Sequence, residues 1–158
     1  MSYPQPENHP MMSRLALFCA PLLAAVSLVG AAAQAAEPVA GRWVTAEKDA
    51  VVAVAPCGGS GSKGAMCGTI DRFLVAPPQG LDQRNVNNPD PKLRTRKLLG
   101  MPILTSFVSD GDLWRGRIYD PKSGKSYRSI IRRKGGNVLE VKGCIGPFCQ
   151  TQLWKRAP

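Results

Sequence analysis

The sequence predicts an all-β domain of roughly eight short antiparallel strands, closed on itself or packed as two sheets, with one short helix in the crossover after the third strand. Two observations predict it. Short apolar runs, several of them alternating with polar residues, recur between Val39 and Arg156, most of them joined by tight turns rich in Gly, Asn, Asp and Pro. The clearest of these units is 111–133, GDLWRGRIYDPKSGKSYRSIIRR, which reads as a single β-hairpin.

In that hairpin Leu113 to Tyr119 and Lys125 to Arg132 alternate on either side of Asp120-Pro121-Lys122-Ser123-Gly124. Pro121 sets φ for the second turn position, and Gly124 supplies the left-handed residue that closes the loop. Pairing Asp120 with Lys125 puts Ile118 opposite Tyr127, Gly116 opposite Ser129 and Trp114 opposite Ile131 on the apolar face. The other face carries Arg115, Arg117, Arg128 and Arg132, with Arg117 across from Arg128. Like charges so placed destabilise a sheet unless solvent or an anion lies between them. An apolar core claims the tryptophan face, so the arginines are expected to point outward, with Ile130 exposed or covered beside them.

The first part of the chain reads as an export signal rather than fold. Arg14 precedes an apolar run from Leu15 to Gly30, and Ala33-Gln34-Ala35 forms a small-residue cleavage site, giving a signal over residues 1–35 and one domain over 36–158. The polar start, Met1 to Pro10, leaves Met11 or Met12 as alternative translation starts. The apolar run is shorter than the ~20 residues of a spanning helix and is interrupted by Pro21, so no transmembrane segment is expected in the mature chain. Removing Glu7 and Arg14 from 11 acidic and 21 basic residues leaves the formal charge at +10, and His9, the single histidine, goes with them. A domain without histidine has no Ser-His-Asp or Cys-His catalysis and no ordinary histidine zinc site. Cys57, Cys67, Cys144 and Cys149 remain, and an even count in an oxidising compartment favours disulfides. Local pairing, Cys57–Cys67 and Cys144–Cys149, clamps two loops between neighbouring strands. The spacings lack the CxxC knuckles of a four-cysteine zinc site.

Taken in order, Val39 to Thr45 is the first strand, with Gly41, Trp43 and Thr45 on one side. Ala50 to Pro56 is the second, after a turn at Glu47-Lys48-Asp49. The glycine-rich Cys57 to Met66 precedes strand sequence rather than a helix, so it is a hairpin loop and not a phosphate cradle; Gly124-Lys125-Ser126 fails the same test. Cys67 to Val75 is the third strand. Ala76 to Leu99 has no alternation and forms an irregular crossover. Within it Asp90 to Gly100 reads as a helix, with Asp90 as N-cap, Pro91 at the first position and Gly100 as the stop. Lys92, Arg94, Arg96 and Lys97 make this the most basic run. Ile103 to Val108 is the fourth strand, the hairpin supplies two more, and Val138 to Lys142 and Gln150 to Arg156 complete the eight.

No pair of acid and base emerges. Asp110 and Asp112 flank a glycine and serve as turn residues rather than as glycosidase carboxylates. Asp82, Asn85, Asn87, Asn88 and Asp90 offer oxygens without an EF-hand spacing, so no metal and no cofactor is expected. The tryptophans Trp43, Trp114 and Trp154 occupy regular strand positions. They suit core packing better than an exposed stacking platform, and no nucleic-acid partner is expected.

Gly41-Arg42-Trp43 at the first strand and Trp154-Lys155-Arg156 at the last resemble the lipocalin and calycin arrangement, in which a first-strand tryptophan is covered by a basic side chain from the far end. Over nearly all of 40–156 the chain is similar to a family of exported bacterial proteins, domain of unknown function 2147. The matching stretches include Cys67-Gly68-Thr69-Ile70, Asn88-Pro89-Asp90-Pro91, Leu99 to Leu104, Trp114 to Pro121, Gly124 to Tyr127 and Gly143-Cys144. The resemblance implies a lipocalin-like barrel and no assigned activity, with no functional residues to carry over. A barrel of this size is filled by side chains or holds one small ligand. The expectation is therefore a periplasmic or secreted, non-enzymatic binding module for a small apolar or amphipathic ligand, with Trp43, Trp114 and Tyr127 as candidate contacts. The alternative is a cell-envelope protein that meets anionic glycan or lipid headgroups through Arg115, Arg117, Arg128 and Arg132 on the sheet and Lys92, Arg94, Arg96 and Lys97 in the crossover.

Overall fold

The computed structural model describes residues 35–59 and 63–158, so the expected signal segment lies almost wholly outside the described residues. Eight strands form one closed antiparallel barrel in chain order: β1 Gly41–Val44, β2 Ala50–Pro56, β3 Met66–Phe73, β4 Pro102–Asp110, β5 Leu113–Asp120, β6 Lys125–Arg133, β7 Val138–Ile145 and β8 Phe148–Arg156. β1 closes the ring against β8 through Trp43–Arg156 and Val44–Lys155. The central hairpin has the expected register, Asp120 with Lys125 through Trp114 with Ile131, and Arg117 faces Arg128. Arg115, Arg117 and Arg128 are exposed and Arg132 is half-buried, while Ile131 on the opposite face is fully buried.

Up-and-down order puts the β1–β2, β3–β4, β5–β6 and β7–β8 connections at one end and the remaining three, with the start of the domain, at the other. The second end is closed. Val39 is fully buried and its carbonyl accepts from Trp43 Nε1 at 3.0 Å, Glu37 O accepts from Trp114 Nε1 at 3.0 Å, and Pro38 O accepts from Arg133 at 2.9 Å. Arg133 and Arg156 each stand 5.4 Å from the centre of the Trp43 ring, so two cations cover the first-strand tryptophan. Gly41, at φ +141°, leaves the space in which Arg156 lies; a Cβ there would come within 3.2 Å of its guanidinium. Above this plug Phe107, Ile131, Leu139 and Trp154 fill the barrel.

One core position needs a break in alternation. Leu104 and Phe107 are both fully buried although they are three residues apart. The β4–β5 register shifts between Thr105 and Val108, and Ser106 sits at φ +55°, an irregularity that turns Phe107 back inward. Phe107 then lies against Gly116, where no side chain competes for the space.

Both disulfides form as Cys57–Cys67 and Cys144–Cys149. They point to a compartment outside the reducing cytoplasm. No helix among the described residues is long and apolar enough to cross a membrane.

The crossover departs from expectation. The helix read from Asp90 to Gly100 is a single 3-10 turn, Pro91–Leu93, and a second such turn occurs at Gly80–Asp82. Asp90 does cap the first of these, accepting from Lys92 N at 2.9 Å. The helix stops there because the following residues pair elsewhere. Asn85 N donates to Arg96 O, Leu98 N to Gln83 O, and Gly100 N to Ile70 O. Non-local backbone bonds thus replace the local ladder that the sequence favours.

Candidate functional site

At the end opposite the plug the barrel is hollow. A cavity of about 560 Å³ is walled by Val52, Ile70, Ile103, Ile118 and Trp154 from five strands and by Phe73 and Leu98 toward the crossover. Gln152 places the one strand-borne amide on this wall, its Oε1 accepting from Trp154 Nε1 at 2.9 Å. Exposed rim residues, among them Glu47, Pro78 and Lys122, also line the cavity, so it opens to solvent.

Charge is confined to the rim. Lys122, in the β5–β6 turn, bonds Glu47 and lies 3.1 Å from Asp49, both in the β1–β2 turn. The bridge therefore joins turns from well-separated parts of the ring. Burial is the largest influence on Asp49 and pushes its pKa up, but the Thr45 hydroxyl, at 2.7 Å, and Lys122 together outweigh it and hold the carboxyl below its ordinary value. Lys122 is raised, first by its hydrogen bond to Glu47, against a partial desolvation.

The crossover forms the remaining wall as a strap tied down by asparagines. Tyr119 donates its hydroxyl hydrogen to Asn85 Oδ1 at 2.6 Å and accepts from Asn88 Nδ2 at 3.0 Å. Asn87 Nδ2 donates to Pro121 O and Lys122 O at 3.3 and 3.0 Å. Of the Asn and Asp oxygens considered as cation ligands, Asn85 Oδ1 accepts from Tyr119, Asn88 Oδ1 from Asp90 N and Asp90 Oδ1 from Lys92 N, and Asp82 pairs with Lys97. Gly124, at φ +70°, is where the strap crosses the hairpin turn, and any side chain there would collide with Asn87 O.

The candidate contacts lie elsewhere. Trp43 and Trp114 line neither this cavity nor the outer groove described next; both are committed to the plug. Tyr127 lines the outer groove. The groove, about 1050 Å³, runs between the strap and the outer surface of β5, β6 and β7.

The eight basic candidates divide in four ways. Arg115 pairs with Asp110, Arg132 with Asp112 and Glu140, and Lys97 with Asp82. Arg94 is structural, its guanidinium donating to Asn88 O at 2.7 Å. Lys92 is exposed. Arg96, Arg117 and Arg128 come together in the outer groove with Lys125, read from the sequence only as the first residue of the second hairpin strand.

Residues 41–156 match the model of a family described as an uncharacterized protein conserved in bacteria, DUF2147. The chain belongs to that family. Among solved structures it is similar to HP1028 of Helicobacter pylori, described as belonging to the lipocalin family. The two share 21% identity over 77% of this chain and 84% of that one, with a TM-score of 0.62. The likeness establishes a lipocalin-like fold. No curated protein matches the sequence.

Proposed function

We propose that this is an exported binding module that holds a small amphipathic ligand in the mouth cavity, its apolar part in the lumen and its polar end at the rim. The observation that carries the reading is the half-filled barrel. Its plugged end holds the buried Trp43, Phe107, Ile131 and Leu139, whereas Phe73, Leu98 and Ile118 at the other end are only partly buried and line the cavity. Empty volume forfeits dispersion contacts, and a mostly apolar wall with a few polar groups near the opening suits a ligand with one polar end. Lys122, Glu47 and the Gln152 amide are the groups within reach of such an end.

The test is titration with N-phenyl-1-naphthylamine, a fluorescent apolar probe, followed by displacement with a long-chain fatty acid. Saturable one-to-one binding is expected, together with its loss in Ile103→Trp, which fills the cavity. Ile118→Trp, at a less buried wall position, serves if Ile103→Trp fails to fold. Probe binding that survives in a folded filling variant would refute the reading. Native mass spectrometry of protein recovered from the exported fraction would identify a natural occupant. A second reading, contact with an anionic glycan or lipid headgroup, is supported by the basic residues that lack a carboxylate partner among the described residues.

A further inference from the structure

We propose that the outer groove is a second binding site, separate from the lumen, that takes a phosphorylated saccharide. The proposal deepens the second reading above, and its failure would leave the lumen reading untouched.

Four cations, Arg96, Arg117, Lys125 and Arg128, line the groove, and no carboxylate does. Elsewhere on the domain six cations are paired: Arg42 with Asp71, Arg115 with Asp110, Lys97 with Asp82, Lys122 with Glu47 and Asp49, and Arg132 and Lys142 with Glu140; others, such as Arg72, Lys92 and Lys155, have no carboxylate partner among the described residues but do not line the groove. Among the described residues none of the four groove cations has such a partner. The acids nearest in sequence, Asp90 and Asp120, form no ion pair with them: Asp90 accepts from Lys92 N, and Asp120 from Lys122 N and Ser123 Oγ, in capping their own turns.

The register places two of these cations directly opposite each other. Arg117 and Arg128 are paired residues on one outward face, an arrangement that destabilises the sheet unless solvent or an anion lies between them. Arg128 spends one nitrogen on Gly146 O at 2.5 Å, which anchors the side chain beside the groove while leaving further donors. Two guanidiniums side by side match the tetrahedral oxygens of phosphate better than a lone carboxylate, and each phosphate brings up to two charges to a site offering four.

The rest of the lining selects the scaffold. Hydroxyls of Thr105, Ser126 and Tyr127 stand beside the apolar faces of Leu93, Pro89 and Ile145. Such mixed surfaces suit a sugar ring, which has both hydroxyl edges and C–H faces. The groove's volume exceeds that of a single inorganic phosphate, and a recess walled by the strap is poorly shaped for the flat surface of a bilayer. Of the residues lining the two cavities only Tyr119 is shared, so the sites can be tested apart.

The experiment uses myo-inositol hexakisphosphate, a polyphosphorylated ring, titrated calorimetrically into the exported domain at low and moderate salt. One-to-one binding that weakens with salt is expected. Arg117→Gln with Arg128→Gln should weaken it by about tenfold or more, whereas Arg115→Gln, whose cation is already paired outside the groove, should change it little. The same ligand should raise the melting temperature of the wild-type domain and not that of the double variant, which folds because both side chains are exposed. Equal binding by the double variant, or an equal loss in Arg115→Gln, would overturn the site. Binding to phosphatidylglycerol vesicles without binding of the soluble probe would overturn the saccharide assignment in favour of a lipid surface.

Discussion

Gly116→Ala tests whether the packed half of the barrel is as tight as its geometry indicates. A Cβ at this position would lie 2.6 and 2.7 Å from two atoms of the Phe107 ring and 2.7 Å from Thr105 O. Ordinary carbon contacts begin near ~3.5 Å, so the ring must retreat by roughly 1 Å. It has nowhere to go, because Phe107 is fully buried and one of the three obstructing atoms is backbone. Overpacking of this kind costs about 1–3 kcal/mol, which for a domain of this size lowers Tm by several degrees. The assay is urea denaturation with both disulfides intact, with Phe107→Leu and the double substitution to close a cycle. If the clash is the cause, the second substitution should cost less in the Gly116→Ala background than alone. Full stability of Gly116→Ala, or strict additivity in the cycle, would refute the packing argument and with it the role given to the Ser106 irregularity.

Three further outcomes are expected. Ser129 Oγ is buried without a hydrogen-bond partner, so Ser129→Ala should leave stability unchanged or raise it by up to about 1 kcal/mol; a loss above that in thermal denaturation would show that the hydroxyl is satisfied. The Lys122 bridge should stabilise the rim above the ordinary carboxylate pKa of about 4, because the Asp49 value is depressed, and be lost as acid titrates the folded carboxyl; on the alkaline side the raised Lys122 contributes fully below its ordinary value of about 10.4 and loses that contribution as pH rises through its folded value. Both groups are substantially exposed, so screening limits the effect to under about 1 kcal/mol, and Lys122→Ala should flatten the acid limb of stability against pH. Removing Cys57–Cys67, which spans 10 residues, should cost about 2–3 kcal/mol, more than removing Cys144–Cys149, which spans 5 between strands already paired; equal losses by denaturant melts would refute the ordering.

The sequence carried the barrel because the information needed for it is local. Alternation sets which face of each strand is buried, and the Asp120–Gly124 turn sets the hairpin register to the residue. Phe107 shows where such information ends: its inward position depends on one irregular residue, Ser106, whose φ no propensity announces. The helix read after Asp90 failed for a related reason. Its cap was legible, but Arg96 and Leu98 are held by Asn85 and Gln83, contacts that sequence spacing does not reveal. The candidate contacts were chosen by residue type. Trp43 and Trp114 belong to the plug, and the cavity is walled by Trp154 together with Val, Ile and Phe that look like ordinary core. The basic candidates fared better, although only the fold could show which of them an acidic neighbour neutralises.

The strap is the element on which both cavities depend, and Tyr119 is the place to perturb it. Between β3 and β4 the chain spends 28 residues where most other connections are short turns. Ordering such a segment opposes folding by roughly 1 kcal/mol or more per residue, and the strap buries few apolar side chains in return: Met101 fully, Leu98 and Leu99 in part. Its polar ties therefore matter. Asn85 and Asn88 are buried, and the Tyr119 hydroxyl partners both, donating to one and accepting from the other. Tyr119→Phe keeps the ring that separates lumen from groove and removes only that hydroxyl. Two buried amide groups then lose a partner, which costs about 1–3 kcal/mol. The loss should appear locally before it appears globally, as faster amide hydrogen exchange over 83–98 and weaker binding of the probes of both cavities. Unchanged exchange in the strap alongside normal binding would mean that the backbone pairs at Asn85 and Leu98 suffice to hold it.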